Sequence, residues 1–192
     1  MDVTEEEAIR LFEEHGVIMR GHFQLTSGRH SPCFLQCSMI MQHPEHLENI
    51  CRALAARVGQ GRVDCVAGPA MGGVILAYEM ARALRARAIY AEKSDAGMEF
   101  RRGFRLDPGE RCLVVEDVIT TGGSATRVAD LARAAGAEIA GVVALVDRSN
   151  GRVDLGVPLI ALVRMDIPSY EPTDCPLCRG GIPLEFPKGS RR

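Results

Sequence analysis

Two adjacent carboxylates, Glu116 and Asp117, stand between an apolar stretch and a loop of small polar residues. The loop, VITTGGS at 118–124, is followed by a helical pattern. Gly122 and Gly123 allow a tight turn in which successive N–H groups converge, and the positive end of the following helix points to the same place. The segment therefore predicts a binding site for one phosphate group.

The predicted phosphate site differs from the common nucleotide-binding loops. The chain contains no G-x-x-x-x-G-K-[ST], and its nearest approach to a dinucleotide fingerprint, GQGRVD, precedes a strand rather than following one. An ordinary solvated turn with a helix cap is the alternative interpretation of such a loop. The loop comprises Val118, Ile119, Thr120, Thr121, Gly122, Gly123 and Ser124, and its hydroxyl donors for the phosphate are those of Thr120, Thr121 and Ser124.

The acidic pair needs a separate explanation, because bare carboxylates beside a phosphate repel it. Vicinal sugar hydroxyls donate well to a carboxylate, and a divalent cation can mask further charge. Glu116 and Asp117 next to the phosphate loop therefore predict a clamp for ribose 5-phosphate.

The elements that position these residues follow a regular order. Continuously apolar segments such as VDCVAG, RCLVVE and GVVALVD alternate with helical patterns, which predicts a parallel sheet covered by helices on both faces. Ligands of such sheets bind beyond the carboxyl ends of the strands. Three segments are expected there: 68–73 (GPAMGG), the polar stretch 92–102 and 116–124.

Composition restricts the class of protein. The 192 residues are 46% hydrophobic with a net charge of −2, which favours one globular domain and gives no sign of a nucleic-acid surface. No apolar run approaches the roughly 20 residues of a membrane span. Seven scattered cysteines and an acidic N-terminal helix pattern are typical of a cytoplasmic protein with reduced thiols.

Several segments together carry a family resemblance. VVEDVITTGGSAT resembles the phosphoribosyl-pyrophosphate (PRPP) motif of type I phosphoribosyltransferases. GHFQLTSGRHSPCFLQC, AGPAMGGVILA, AIYAEK, FRRGF and ALVDR then follow the order seen in orotate phosphoribosyltransferases, so that the resemblance covers most of residues 16 to 165. The TSGRHSPCF loop is the part that points to orotate as the base.

The resemblance implies an α/β fold and an activity. The fold is the Rossmann-like parallel sheet of type I phosphoribosyltransferases in a single domain, with a core at about 40–165, an N-terminal hood at about 1–38 and the tail 166–192 packing near the hood. The reaction transfers the phosphoribosyl group of PRPP to orotate and yields orotidine 5'-monophosphate and pyrophosphate, a step of pyrimidine (UMP) biosynthesis. Mg²⁺ is the implied cofactor, held mainly by the pyrophosphate and ribose hydroxyls of the substrate, with no firm protein ligand.

The resemblance also assigns roles to residues. Those implied in catalysis are Glu116, Asp117, Lys93, Arg101 and Arg102. Besides the phosphate loop and the acidic pair, the implied PRPP contacts are Met71 and Gly72, in the turn that receives the pyrophosphate. The implied orotate contacts are Thr120, Arg148, Phe34 and Leu35. A homodimer is implied as well, with the loop 93–103 shared between the active sites of the two subunits.

Several features depart from the family pattern. Thr26 and the Met71–Gly72 pair stand where many members carry lysines, and 92–102 contains no histidine. Which cations contact the pyrophosphate therefore stays open among Lys93, the two loop arginines and Arg29.

Alternatives to orotate transfer also stay open. They are a purine or xanthine phosphoribosyltransferase, a PRPP-sensing regulator without catalysis that binds RNA, and a non-catalytic nucleotide-binding module. The regulator needs a basic face, which the net charge disfavours. Cys175 and Cys178 form a C-x-x-C that, with Cys33 and Cys37, would give four thiolates for zinc if the tail folded back, but neither spacing is a matched knuckle. Whether Cys175 and Cys178 bind a metal is not decided by the sequence.

Overall fold

A six-stranded sheet forms the centre of the fold, and a separate two-stranded sheet precedes it in the chain. In this computed structural model the structure describes residues 3–59, 61–95 and 97–187. The strands are β1 (Ile18–Gln24), β2 (His30–Leu35), β3 (Cys65–Pro69), β4 (Arg87–Ser94), β5 (Gly97–Phe100), β6 (Arg111–Ile119), β7 (Glu138–Asp147) and β8 (Leu159–Arg164). The helices are α1 (Glu5–Glu14), α2 (Ser38–Met41), α3 (Pro44–Arg57), α4 (Gly72–Leu84), α5 (Gly123–Ala134) and α6 (Pro176–Arg179), with a 3₁₀ turn at Pro172–Asp174.

The sheet has the strand order β5-β4-β3-β6-β7-β8, and all of its neighbours are parallel except β4 and β5. This confirms the predicted α/β fold with a mostly parallel sheet. The carboxyl ends of β3, β4, β6 and β7 lie at one edge, where the sequence predicted the site.

The polar stretch at 92–102 is more regular than its composition indicated. β4 continues to Ser94 and turns into β5, which pairs antiparallel with it through Lys93 opposite Met98. Met98 is buried against the core, and this apolar contact together with the strand pairing explains a hairpin where only a loop was expected.

Two apolar clusters cover the two faces of the sheet. Leu113 and Val115 on β6 face the cluster that contains residues of α1, α3 and α4. Cys112 and Val114, the alternate residues of the same strand, face the cluster that contains residues of α5. This alternation is the reason that the buried strands are apolar at every position rather than at every second one.

The tail after β8 runs along the β1–β2 hairpin. His30 and Tyr170 exchange two backbone hydrogen bonds of 2.9 and 2.8 Å, and Glu185 donates to the carbonyl of His22 at 2.7 Å while its own carbonyl accepts from Gln24 at 3.0 Å. The N-terminal hairpin and the C-terminal tail therefore form one continuous hydrogen-bonded layer.

Among the residues that the structure describes, no helix combines the length and the apolar character needed to cross a bilayer.

Candidate active site

The acidic pair lies near the end of β6, where the strand emerges from the core. Glu116 is only 7% exposed. Burial, followed by the neighbouring charge of Asp117, raises the pKa of the Glu116 carboxyl to about 8. Asp117 is half-buried, and its Oδ1 accepts from the backbone N–H of Val118 at 2.8 Å. The free site therefore holds a carboxyl pair in which the buried member readily keeps a proton.

The predicted phosphate loop surrounds a small pocket of about 160 Å³. Gly122 has a φ of +77°, and a Cβ there would lie 2.6 Å from Leu155 and 2.9 Å from Val153, so the turn requires glycine. Gly122 caps α5 without any side-chain hydrogen bond to the first helical N–H groups. These amides therefore lack the side-chain acceptor that usually satisfies them and can donate to an anion.

The turn after β3 comes directly against the acidic pair. A Cβ on Gly72 would lie 2.7 Å from Oδ2 of Asp117, so only a glycine leaves this approach open. The preceding Ala70–Met71 peptide is cis, and Met71 is largely exposed. The structure thus brings together the two segments, 68–73 and 116–124, that the resemblance implied as PRPP contacts.

The cations of the β4–β5 hairpin occupy different positions. Lys93 is exposed, and its charge acts on Glu116 in the direction that lowers the pKa of this carboxyl, opposite to the larger effect of burial. Arg101 and Arg102 instead form ion pairs with Glu99 and Glu92 of their own hairpin. Of these three predicted residues, the structure brings Lys93 towards the acidic pair.

A second, larger pocket of about 640 Å³ adjoins the phosphate loop through Thr120 and Thr121. Arg148, which follows β7, is half-buried in its wall and contacts Ser31 Oγ at 3.5 Å. Burial lowers the pKa of its guanidinium.

Arg148 has no ion pair with any carboxylate in the described ranges 3–59, 61–95 and 97–187. Its neighbour Asp147 accepts hydrogen bonds from Ser149 and Gly151, and Asp154 accepts one from Gly156. The surface ion pair that would be the ordinary role of such an arginine is therefore not formed, and the charge of this half-buried side chain has no carboxylate to balance it.

The wall of the larger pocket contains residues that sequence reasoning missed. Leu25 and Ser27 come from the β1–β2 loop, while Ile167 and Ser169 come from the tail. Leu25 and Ser27 lie in the segment GHFQLTSGRHSPCFLQC that carries the resemblance, although neither was given a role of its own. No sequence pattern marks Ile167 and Ser169, because the tail meets this loop only in the folded protein. Phe34 and Leu35 are not among the lining residues: Phe34 packs against Phe23, and Leu35 packs against the core. Their contact with orotate stays a prediction.

Comparisons with known proteins agree with this geometry. Residues 36–156 match the family model described as a phosphoribosyl transferase domain. The orotate phosphoribosyltransferase of Pelotomaculum thermopropionicum is 51% identical over 190 residues, which cover 99% of this chain and all of the relative. That of Caldanaerobacter subterraneus is 50% identical with the same coverage. The chain belongs to the orotate phosphoribosyltransferase family.

Solved structures show how widely the family fold is shared. The orotate phosphoribosyltransferase of Aeropyrum pernix matches with a TM-score of 0.68 and 25% identity over 81% of this chain and 92% of that one. An adenine phosphoribosyltransferase of Rhodothermus marinus matches with a TM-score of 0.64 and 22% identity, over 83% of this chain and 99% of that one. The fold alone thus occurs with different bases, and the residues of the base pocket have to decide between them.

Proposed function

We propose that this protein transfers the phosphoribosyl group of PRPP to orotate, giving orotidine 5'-monophosphate and pyrophosphate in pyrimidine biosynthesis. One observation carries the choice of base: Arg148 is a half-buried guanidinium without a carboxylate partner among the described residues, in a pocket that adjoins the phosphate loop. Orotate brings a planar carboxylate, which suits the fork of an arginine. Neutral purines bring no such group.

PRPP binds, in this proposal, along the edge formed by β3 and β6. The amides and hydroxyls of residues 118–124 hold the 5-phosphate, because the helix start at Gly123 offers donors without a side-chain cap. Asp117 and Glu116 accept hydrogen bonds from the ribose hydroxyls. As the bond from C1 to pyrophosphate breaks, positive charge develops on the ribose, and the fixed carboxylates stabilise it.

The leaving pyrophosphate is received by Met71 and Gly72, since the turn that contains them abuts Asp117. Lys93 supplies a positive charge from the hairpin above the acidic pair, as its effect on the pKa of Glu116 supports. Arg101 and Arg102 reach the pyrophosphate only if they exchange their present carboxylate partners for it.

Mg²⁺ fits the donor set of the site, because adjacent carboxylates offer the hard oxygen ligands that this ion prefers. Glu116 and Asp117 would hold the ion indirectly, through the ribose hydroxyls that they orient. When bound, Mg²⁺ neutralises charge on the pyrophosphate and makes it a better leaving group. Because burial and the charge of Asp117 raise the pKa of Glu116 to about 8, this carboxyl has to lose its proton before it can act as a carboxylate towards the ribose.

A homodimer that shares the loop 93–103 completes the proposal. Met71, Ile75 and Tyr78 are exposed at spacings of four and three residues at the start of α4, an apolar surface of the kind that partner subunits cover. The test is to mix Arg101→Ala with Arg148→Ala, because the charge of Lys93 already acts on Glu116 of its own chain. If the loop acts across the interface, the mixed dimer regains one site with both residues intact, and activity returns. If each loop serves its own subunit, mixing restores nothing.

We further propose that the protein is a single domain, with the hood and tail described above as parts of it, and that it works in the cytoplasm. Seven free thiols, six of them buried, support a reducing compartment.

The activity is tested by following orotate absorbance in the presence of PRPP and Mg²⁺, with adenine, hypoxanthine, guanine and xanthine in parallel. We expect orotate consumption that requires both PRPP and the metal, and no turnover of the purines. Turnover of a purine with orotate untouched would leave the PRPP site intact and refute the assignment of the base.

A further inference from the structure

A second group of side chains capable of chemistry lies outside the candidate active site. His22 and His30 of the β1–β2 hairpin meet Cys175 and Cys178 of the tail, and one ligand atom from each lies within 4.8 Å of the other three. We call these four residues the His–Cys cluster. Cys33 and Cys37, the partners considered from the sequence, are elsewhere: the Cys33 thiol lies near the carbonyl of Phe34 and the Cys37 thiol near that of Asp117.

The distances within the His–Cys cluster are those of a metal coordination shell. His22 Nε2 lies 3.0 Å from His30 Nδ1 and 3.5 Å from the sulfur of Cys175, and the Cys178 sulfur lies 3.7 and 3.3 Å from these two nitrogens. A tetrahedron with Zn–N of about 2.05 Å and Zn–S of about 2.3 Å has edges of about 3.3 to 3.8 Å. The observed separations fall near this range.

Hydrogen bonding among the four residues does not account for the arrangement. His22 Nδ1 lies 2.8 Å from the carbonyl oxygen of Ile182, which can only accept, so this nitrogen carries the proton. In the neutral ring Nε2 then offers one lone pair, yet it has three polar neighbours within 3.7 Å. A carbonyl that fixes the ring while the other nitrogen faces the cluster is the usual outer support of a metal-binding histidine.

The C-terminal tail has too little apolar packing of its own to hold its position against the β1–β2 hairpin. Between residues 168 and 187 the only buried residue is Cys175, and neither the 3₁₀ turn nor α6 buries any side chain. The segment nevertheless folds back on the hairpin in a defined register, with Tyr170 paired to His30 and Glu185 to Phe23. Short segments without an apolar core are commonly held by metals or disulfides.

We propose that the His–Cys cluster binds one Zn²⁺ ion as a structural Cys₂His₂ site that fastens the C-terminal tail to the N-terminal hairpin. Two thiolates and two imidazoles are a ligand set of structural zinc, and four protein ligands leave no position for a substrate. This inference does not rest on the proposed function, because none of the four residues is assigned to PRPP or orotate.

The site has a consequence for the larger pocket. Ser169 lies one residue before the Tyr170 bridge, and its carbonyl accepts from Arg29 at 2.7 Å. Both residues line the pocket that contains Arg148. Zinc bound at the cluster therefore holds one wall of this pocket in place.

The experiment measures metal directly. The full chain is purified under reducing conditions, stripped with a chelator and titrated anaerobically with Co²⁺ and, separately, with Zn²⁺. We expect one equivalent of either ion, and for Co²⁺ the intense visible bands of tetrahedral coordination together with a thiolate-to-cobalt charge-transfer band. Zn²⁺ should displace Co²⁺ and abolish both signals.

Cys178→Ser is the informative variant, because Cys178 is the exposed member of the cluster and its sulfur contributes nothing to the buried packing of the sheet. Substitution of a residue that only supports a metal ligand typically lowers metal affinity roughly 10- to 100-fold. Cys178→Ser removes a ligand itself, so it should lower zinc affinity by more than that and should weaken the charge-transfer band. Cys51→Ala is the matched control: it removes a buried thiol of α3, outside the cluster, and should keep full stoichiometry. Reduced wild-type protein that takes up no metal, or a zinc affinity that is the same in Cys178→Ser as in wild type, would overturn the proposal. A Cys175–Cys178 disulfide as the stable state of the protein in a reducing buffer would overturn it as well.

Discussion

The phosphate loop and the base pocket are adjacent parts of one site, but they are built in opposite ways. Nine consecutive residues, 116–124, supply the acidic pair and the phosphate donors, and they lie at the junction of a strand and a helix. The larger pocket shares Thr120 and Thr121 with this segment, but it takes its other residues from the β1–β2 loop, from the segment after β7 and from the tail. The first part is therefore fixed by local backbone geometry, whereas the second depends on tertiary contacts between distant segments.

This difference predicts that the two parts can be damaged separately. Changes in 116–124 should affect every reaction of PRPP, whatever the base. Changes in the pocket around Arg148 should affect orotate alone. The predictions below test this separation, in decreasing order of expected effect.

Asp117→Asn should have the largest effect. It removes a negative charge placed against the turn at Gly72, where the ribose becomes positive, so we expect kcat to fall roughly 10³-fold. The amide can still accept from Val118, so that the fold should be retained. Steady-state kinetics measures the loss. Asp130→Asn, which removes an exposed carboxylate from α5, serves as the control, and equal losses in both variants would contradict a specific role of Asp117.

Arg148→Ala should lower kcat/KM for orotate by roughly 10²-fold, the size expected when a charged hydrogen bond to a ligand is lost. The affinity for PRPP should not change. Arg152→Ala is the matched control, because Arg152 lines the same pocket but pairs with Asp166 at 2.7 Å, and its loss should cost little. A control that is as damaging as Arg148→Ala would show that general pocket charge, rather than Arg148, selects the base.

Gly122→Ala should destabilise the protein by about 1–3 kcal/mol and weaken PRPP binding, because a Cβ at a φ of +77° is strained and meets Leu155. Gly123→Ala provides the comparison: the nearest atom to its Cβ is Thr121 Oγ1 at 3.8 Å, so stability should be unchanged or slightly higher. The unfolding temperatures of the two variants, measured without ligands, test this difference. Similar unfolding temperatures would contradict the backbone argument.

Glu116→Gln should have the smallest effect on activity among these variants, and it should increase the stability of the fold. The folded state raises the pKa of Glu116 from 4.5 to about 8, so the folded protein binds the proton more tightly than the unfolded chain does. The stability associated with the protonated form is complete below about pH 4.5 and is lost as pH rises to about 8. Glutamine resembles the protonated form and avoids this loss.

The unfolding temperature of Glu116→Gln should therefore exceed that of wild type above pH 8, and the difference should vanish below about pH 4.5. Activity should fall in the same variant, since the carboxylate is needed once substrate binds. A difference that does not depend on pH would contradict the assignment of the shift to this proton.

The contrast between local backbone geometry and tertiary contacts also explains how much of the fold and the site could be predicted from the sequence. The parallel sheet, the N-terminal helix and the strand-to-helix junction at Gly122 follow from local patterns, and the structure contains them. β5 was not predicted because its strand character comes from pairing with β4 rather than from its own composition.

The larger pocket shows more clearly what could not be predicted from the sequence. Arg148 was identified only through resemblance, and its lack of a carboxylate partner among the described residues became visible when Asp147 and Asp154 were seen to be bonded elsewhere. Ser169 and the His–Cys cluster depend on the tail folding back over more than 130 residues of chain, which no local spacing encodes.

The most direct test of the account compares two ligands that differ by the base alone. Ribose 5-phosphate occupies only the phosphate half of the proposed site, whereas orotidine 5'-monophosphate also reaches Arg148. Calorimetric titration of both into wild type and Arg148→Ala should show unchanged affinity for ribose 5-phosphate and affinity for orotidine 5'-monophosphate reduced roughly 10²-fold. If the substitution weakens both ligands equally, or neither of them, Arg148 does not recognise the base and the division of the site into two halves is wrong.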